Sequence, residues 1–221
     1  MEHIYTCKEL SAEEIIDIYS NTVVLHFPKA ELKPIENVKK YLEKGLYAGY
    51  GFFENGRFLA YAFFLILRKE RKLLLDYYAV LPEYRNDGIG SAFLQSLKNT
   101  LSCADGIYIE SENPDYAKDK VEQIIREKRI AFYHRNGAVS TNVLSTLFQV
   151  PYRILYLPLL QEGKNTGGSD RQDCCNSPHN KEASDKTSAA DKIDFYQEID
   201  LIYHAMFPEN VYEKNVALYQ P

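Results

Sequence analysis

A turn with two glycines, placed between a strand and a helix, is the segment best suited to bind a ligand. It comprises residues 85–90 (RNDGIG) and follows an apolar run that begins at Leu73 and predicts a buried strand. Large apolar side chains then recur at positions 89, 93, 97 and 101, which predicts an amphipathic helix. Glycine lets the backbone approach a ligand closely, and the first N–H groups of a helix have no internal partner. Because these donors and the helix dipole favour anions, the turn predicts a phosphate site.

Two common phosphate-binding motifs do not fit this turn. A dinucleotide fingerprint requires a third glycine three residues after the second, where Phe93 stands. A P-loop requires Lys and then Ser or Thr after its last glycine, but Ser91 and Ala92 follow Gly90. The phosphate is therefore expected to belong to another kind of ligand.

Three stretches of the chain resemble the GNAT acetyltransferase superfamily. Residues 85–90 match its R/Q-x-x-G-x-G/A signature, and residues 80–84 (VLPEY) resemble the V-x-P-x-Y/H sequence that precedes it. Residues 132–138 (FYHRNGA) resemble the F/L-Y-x-x-x-G-F/A motif that ends the fourth helix of that family, with Gly137 as a left-handed cap. The resemblance extends over residues 4–159 and implies that the turn holds the pyrophosphate of acetyl-CoA.

The resemblance also implies roles for individual residues. The implied acetyl-CoA contacts are Tyr78, Ala79, Val80, Arg85, Asn86, Asp87, Gly88, Ile89, Gly90 and Ser91. Tyr133 matches the motif tyrosine that protonates the departing thiolate, and this catalytic role is favoured over that of a core aromatic on a helix face. Asn113 is implied to contact CoA, but as a helix cap it needs no such role.

Three carboxylates compete for the role of base. Glu110 ends a strand at the predicted parallel junction of the sheet, where ligands tend to bind in α/β proteins, and could accept a proton from an amine or bind an ammonium ion. It is also interpretable as a solvated residue at a strand end. Asp76 interrupts an apolar strand, which is unfavourable unless the group is paired or lies in a cleft. Glu112 is the third candidate.

The hydrophobic pattern predicts an α/β (α+β) fold, and the order of its strands and helices resembles that of the GNAT superfamily. Strands are expected at residues 4–7, 47–54, 57–67, from Leu73 to the turn, 106–110, 139–148 and 150–159. Asn55-Gly56 is a strong hairpin signal, so three successive strands should form an antiparallel meander. Helices are expected after the capping box at Ser11, after Pro34, after residue 88 and after Asn113. The sheet should be mixed and mostly antiparallel, flanked by helices, with a parallel junction at the CoA site.

The chain divides into three predicted regions. Residues 1–160 form the GNAT-like domain. Residues 161–191 lack Val, Ile, Leu, Met, Phe and Tyr, which predicts a disordered loop. Residues 192–221 carry a helical apolar stripe and then strand-like content at 211–219, and are too few for a core of their own. This C-terminal helix-strand extension is expected to pack on the main domain.

Composition narrows the partners and the compartment. The 221-residue chain has a net charge of −5, which argues against a nucleic-acid partner. No apolar run is long enough to cross a membrane, and the start of the chain lacks the features of a signal peptide. The four cysteines fit neither a zinc site nor a disulfide framework, so a reducing cytoplasm and no metal are expected. A homodimer is one open option.

Together, these features indicate an N-acetyltransferase that transfers an acetyl group from acetyl-CoA directly to a primary amine of a small molecule. One alternative is the same chemistry on a protein or peptide, or with another acyl-CoA. A second alternative is a CoA-binding module without enzymatic activity. The sequence does not identify the acceptor, because the family pattern does not cover the residues that would contact it.

Overall fold

The computed structural model describes residues 4–159 and 193–221. Within them, one sheet contains β1 (Tyr5–Glu9), β2 (Tyr47–Glu54), β3 (Arg57–Leu67), β4 (Lys72–Val80), β5 (Gly106–Glu112), β6 (Val139–Leu147), β7 (Val150–Pro158) and β8 (Val216–Tyr219). The helices are α1 (Ala12–Ile18), α2 (Val24–His26), α3 (Ile35–Glu43), α4 (Ile89–Thr100), α5 (Lys120–Arg135), α6 (Phe195–Met206) and α7 (Glu209–Asn215).

The strand order confirms the predicted mixed α/β fold. The order is β1-β2-β3-β4-β5-β7-β6-β8, and only the β4–β5 pair is parallel in the described residues. The β2–β3 hairpin turns at Asn55-Gly56, where φ is +50° and +81°. Two positive φ values match the right-handed twist of the paired strands, which is why Asn-Gly predicted this turn correctly. The parallel crossover runs through α4, as the strand-helix-strand pattern indicated.

Helices cover both faces of the sheet, so the central strands carry apolar side chains on both faces. One core cluster joins the sheet to α4 and the end of α5 through residues such as Phe93, Leu97 and Tyr133. The other joins it to α1, α3 and α6 through residues such as Ile15 and Tyr203. A sheet buried on both faces requires continuous apolar strands rather than alternating ones, and β3 has this character.

The start and the inward face of α5 differ from the prediction. Asn113 caps only a short 3-10 turn, Pro114–Tyr116, and α5 begins later, after the N-cap Asp119. The apolar residues at helical spacing in this segment predict a stripe that faces the core, but they point outward; Val121 is 68% and Ile125 52% exposed. Arg126 begins a run of charged residues that predicts a solvated face, but its side chain is buried. Its guanidinium forms ion pairs with the Glu112 and Glu122 carboxylates. The ion pair with Glu112 on β5 determines which face of α5 turns toward the sheet.

The C-terminal segment also departs from the expected strand. Residues 211–219 do not form one extended run, because α7 occupies Glu209–Asn215 and only β8 is extended. β8 pairs antiparallel with β6 at the edge of the sheet. Helix α6 buries the apolar stripe that includes Ile199 and Met206. The predicted loop at 161–191 lies outside the described residues.

No helix in the described ranges is long and apolar enough to cross a membrane. Those ranges also contain no group of three His, Cys, Asp or Glu side chains that could hold a metal ion.

Candidate active site

The sheet opens at the end of its parallel strand pair. Register between β4 and β5 stops at Leu75 and Ile109, so Asp76 and Glu110 are the first residues of the diverging strand ends. On the other side of β4, the register with β3 shifts at the same point, which leaves Asp76 as the extra residue of a bulge. A bulge bends the strand and increases its twist. Beyond this point the two strands border a cavity of about 980 Å³.

Nearly all residues expected to contact acetyl-CoA line this cavity. They are Tyr78, Ala79, Val80, Arg85, Asn86, Gly88, Ile89, Gly90 and Ser91. Asp87 is exposed and is not among the lining residues. Since β4 has no partner strand on this side after Leu75, an extended ligand arm has room beside the strand.

The N-terminus of α4 has the properties of an anion site. Gly88 is its N-cap with φ of +78°, and no side chain in residues 4–159 or 193–221 caps the helix. A Cβ on Gly88 would meet no atom of these described residues within 4 Å, so the space that they leave beside it is open to a ligand. The Tyr78 hydroxyl donates to the Gly90 carbonyl at 2.5 Å, and Arg85 Nε donates to the Val80 carbonyl at 3.0 Å. These two bonds hold the turn against the end of β4.

Tyr133 enters the same cavity from α5. Its side chain is buried in the core cluster, and its ring centroid lies 6.5 Å from that of Tyr78. Among the described residues, its hydroxyl has no hydrogen-bond partner. Burial raises the pKa of Tyr133 to about 12, although the nearby Arg129 guanidinium lowers it. The hydroxyl therefore keeps its proton at neutral pH and is free to donate it to a ligand.

Glu110 is a partly buried carboxylate with a neutral hydrogen-bond donor. The Tyr203 hydroxyl donates to Glu110 Oε1 at 2.5 Å, and Ser145 Oγ lies 3.1 Å from the same hydroxyl oxygen. Burial raises the pKa of Glu110 to about 7, against the lowering effects of the Tyr203 hydrogen bond and the Lys33 ammonium. A carboxyl group with this pKa exchanges a proton near neutral pH, as a general base must.

The other two carboxylates are neutralised by cations. Asp76 contacts Lys33 Nζ and accepts a hydrogen bond from the Tyr47 hydroxyl at 2.5 Å. Burial lowers the pKa of Lys33, but Asp76 outweighs it and the net pKa lies above the ordinary value. Glu112 pairs with Arg126 at 2.8 Å and with Arg129 at 3.0 Å. Each of these carboxylates already has a structural partner.

Asn113 has a structural role in this fold. Its side-chain oxygen accepts hydrogen bonds from the Asp115 N–H at 3.2 Å and from Arg153 Nε at 3.0 Å. It is buried and is not among the residues lining the cavity. These contacts explain why the Asn113 side chain is buried, without requiring it to contact CoA.

Sequence reasoning missed the residues at the far end of the cavity. Besides Glu110, this end is lined by Tyr41, Leu147, Phe148, Tyr152, Met206 and Phe207. They come from three separate parts of the chain, including the C-terminal extension. Tyr203 was likewise read only as one member of an apolar helical stripe. No local motif marks these residues, because only the fold brings them together.

A family model described as the acetyltransferase (GNAT) family matches residues 12–137, which is more than half of the 221-residue chain. The chain therefore belongs to the GNAT acetyltransferase family, and its class is that of the acetyl-CoA-dependent acyltransferases. No curated protein matches it in sequence.

Solved structures agree on the fold. The Escherichia coli ribosomal-protein-S18-alanine N-acetyltransferase has a TM-score of 0.51 and 19% identity over 74% of this chain and 99% of its own. The aminoglycoside 6'-N-acetyltransferase from Enterococcus faecium has a TM-score of 0.55 and 14% identity, covering 72% and 99%. A spermidine N-acetyltransferase chimera based on Vibrio cholerae has a TM-score of 0.51 and 11% identity, covering 70% and 95%.

Proposed function

We propose that this acetyltransferase acts on a primary amine of a small molecule, with Glu110 as the base and Tyr133 as the acid. The observation that carries the proposal is the placement of both groups in one cavity with the uncapped N-terminus of α4. Family membership supplies the donor substrate, acetyl-CoA, and the cavity offers each group that acetyl transfer requires.

The residues at the α4 end fit the phosphate portion of acetyl-CoA. The free N–H groups of the first helical turn, the open space beside Gly88 and the Arg85 side chain offer hydrogen bonds and positive charge to a pyrophosphate. The unpaired edge of β4 at residues 78–80 is suited to hold the pantetheine arm and to place an N–H near the thioester carbonyl. Acetyl-CoA brings the acetyl group as an activated thioester.

Glu110 is suited to guide and deprotonate the amine. An alkyl ammonium ion has a pKa of about 10.4, so the acceptor is mostly protonated at neutral pH when it reaches the site. The ionised fraction of Glu110 attracts this cation and takes a proton from its nitrogen. The amine then attacks the thioester carbonyl, so that a C–N bond forms and the C–S bond breaks. Glu110 releases this first proton to solvent, and the second proton, which leaves the nitrogen as the amide forms, then passes to Glu110.

Tyr133 is suited to stabilise the leaving thiolate. A thiol has a pKa of about 8.5, so complete proton transfer to the thiolate from a phenol with a pKa of about 12 is energetically unfavourable. A hydrogen bond from the phenol to the developing sulfur anion is favourable throughout bond cleavage. The proton passes to sulfur as the thiolate leaves the polar part of the site, and solvent restores the phenol.

A hydrogen bond between α3 and α6 restricts the space at the cavity and favours a small acceptor over a polypeptide. The Tyr41 hydroxyl on α3 donates to the Met206 carbonyl at the end of α6, at 2.8 Å. Both residues line the cavity, so this bond fixes two of its lining elements to each other. Two of the relatives in fold are, by name, aminoglycoside and spermidine acetyltransferases, whereas another acts on a ribosomal protein alanine.

The proposed acceptor class is tested by measuring CoA release with matched amines and peptides. Small primary amines should support release at rates well above the background hydrolysis of acetyl-CoA. Peptides with a free N-terminal alanine or a lysine should support little. Faster turnover of the peptides would replace the small-molecule proposal with the protein-acceptor alternative. CoA binding without release on either panel would favour the non-enzymatic module.

Replacing Gly88 by Val should abolish acetyl-CoA binding by filling the space for the pyrophosphate. The change also strains the backbone, because φ is +78° at this position. Gly56→Val is a matched control, since Gly56 has φ of +81°, also has no atom within 4 Å of an added Cβ, and lies in a distant hairpin. Both variants should lose similar thermal stability, but only Gly88→Val should lose acetyl-CoA affinity by calorimetry.

Gly90 is not suitable for this test, because an added Cβ would lie 3.3 Å from Phe132 Cε2 and would disturb core packing. Unchanged acetyl-CoA affinity in folded Gly88→Val would exclude the turn as the pyrophosphate site.

Replacing Tyr203 by Phe should shift the pH dependence of activity upward. The Tyr203 hydrogen bond lowers the pKa of Glu110, so its removal should raise that pKa above about 7. The base would then lose its proton only at higher pH, and the acidic limb of kcat/KM should move to higher pH. Activity near pH 9 should approach that of the native enzyme. A uniform loss of activity at every pH, with no shift of the limb, would contradict this role for Tyr203.

A further inference from the structure

The C-terminal segment beyond residue 193 forms a fixed part of the acceptor end of the cavity. It lies outside the residues 12–137 that match the family. Its helix α6 is anchored to the sheet by an ion pair between Glu198 and Lys72 at 2.6 Å and by the Tyr108 hydroxyl, which donates to Glu198. Tyr203 and Met206 on the same helix are buried. The segment therefore belongs to the cavity wall in the folded protein.

An apolar wall stands beside Glu110. Its members are Leu147, Phe148, Tyr152, Met206 and Phe207, which line the same cavity as Glu110. The wall contains no charged side chain. The rings of Phe148 and Phe207 meet edge to face, with centroids 5.6 Å apart, so they form one continuous aromatic surface. The charged side chains at the cavity, both basic (such as Arg85 and Arg135) and acidic (such as Glu31 and Glu112), come from other elements.

Phe148 occupies a conformation that its own side chain does not favour. It lies in the β6–β7 turn with φ of +47°, followed by Gln149 with φ of +70°. Positive φ is unfavourable for a bulky residue, and hairpin turns of this type prefer Asn or Gly. Phe148 is also 50% exposed, so its ring does not contribute fully to core packing. A strained and exposed aromatic side chain at a ligand cavity is typical of a binding residue.

From this arrangement we infer that the acceptor is a primary amine carrying an aromatic or branched aliphatic group, and that Phe148 and Phe207 determine this specificity. The amine would lie at Glu110 and the apolar group against the wall. The inference rests on the proposed amine acetylation and names the acceptor class within it. A cationic group lying against these five side chains would find no ion partner among them, whereas an apolar group gains about 25 cal/mol for each Å² removed from water.

The test compares phenethylamine, methylamine and spermidine as acceptors for the native enzyme and its variants. The native enzyme should prefer phenethylamine in kcat/KM. Phe207→Ala and Phe148→Ala should each lower kcat/KM for phenethylamine by at least about tenfold, within the range that lost apolar contacts produce. The loss in kcat/KM for methylamine, which is too small to reach the wall, should be clearly smaller than the loss for phenethylamine. Phe148→Ala removes a side chain that is 50% exposed and not fully packed in the core, so the variant is expected to fold normally.

Phe195→Ala is the matched control. Phe195 is a half-buried phenylalanine at the first position of α6, at the opposite end of that helix from Phe207; its ring centroid lies 5.2 Å from that of Tyr156, and it is not among the cavity-lining residues. Its loss should reduce stability without changing acceptor preference. A preference for spermidine, or equal losses on all amines in the Phe207 and Phe148 variants, would overturn the inference while leaving amine acetylation intact.

If no amine is acetylated, a binding measurement distinguishes failure of the apolar acceptor site from failure of the proposed reaction. In that case, phenethylamine is titrated calorimetrically into the enzyme with acetyl-CoA bound. Binding that weakens at least about tenfold in Phe207→Ala, but not in Phe195→Ala, would retain the apolar amine site and reject only the reaction. Absence of binding, or binding unaffected by Phe207→Ala, would reject the site.

Discussion

Glu110→Gln is expected to lower kcat/KM for an amine acceptor by about 100- to 10,000-fold at pH 7, the usual contribution of a general base. Gln preserves the shape of the side chain and can still accept the Tyr203 hydrogen bond, but it cannot take up a proton. Acetyl-CoA affinity should remain unchanged, because Glu110 lies on β5, whereas the predicted phosphate turn follows β4. Initial rates of CoA release over a range of amine concentrations provide the measurement.

The same substitution should change how stability depends on pH. Burial raises the pKa of Glu110 from 4.5 to about 7 in the folded protein. A raised pKa means that the group stabilises the fold below about pH 4.5 and that this stability is lost as the pH rises through 7. At 1.36 kcal/mol per pKa unit, the loss is about 3 kcal/mol. Glu110→Gln should therefore become more stable than the native protein at pH 8, by urea unfolding.

An exposed glutamate provides the control for this comparison. Glu43→Gln, at the end of α3 and away from the cavity, should follow the native pH curve. If the Glu110→Gln and native stability curves run parallel between pH 4.5 and 8, Glu110 does not titrate near neutral pH in the fold. If amine turnover also survives in Glu110→Gln, the base must be another group, with the ion-paired Glu112 and Asp76 as the remaining carboxylates.

Tyr133→Phe is expected to lower the turnover number by at least about tenfold, with little change in acetyl-CoA affinity. The variant keeps the ring that packs in the core and removes only the hydroxyl, which has no hydrogen-bond partner in the described residues. General acid assistance typically contributes about 100- to 10,000-fold, and the high pKa of Tyr133 places the expected loss toward the lower end. Single-turnover rates isolate the chemical step from product release.

Stability distinguishes the catalytic role from a structural one. Removing a buried hydroxyl without a partner should leave stability unchanged or raise it slightly. Tyr156→Phe, which alters a buried tyrosine that does not line the cavity, should leave turnover unchanged. Near-native turnover in Tyr133→Phe would remove Tyr133 from the mechanism. A loss of turnover matched by a loss of stability would instead identify it as a core tyrosine.

The sequence alone determined the features that depend on short-range interactions. The Asn55-Gly56 hairpin, the left-handed cap at Gly137 and the turn before α4 each follow from the conformational freedom of one or two residues. The mixed sheet follows from the order of strands and helices, because a strand-helix-strand unit forms a parallel pair. The phosphate turn and Tyr133 were recognised because their motifs are contiguous in the chain.

Tertiary structure decided the parts that depend on distant residues. Helix α5 is rotated to bury Arg126, because its guanidinium finds Glu112 on β5, and no local apolar pattern reports that partner. The sequence placed Glu110 ahead of Glu112 and Asp76 only by its position at a strand end, and it gave no information about the neighbours of these carboxylates. The fold distinguishes them by these neighbours: Lys33 beside Asp76, two arginines beside Glu112, and the neutral Tyr203 beside Glu110. Tyr203 lies 93 residues from Glu110, so only the folded chain places its hydroxyl on that carboxylate.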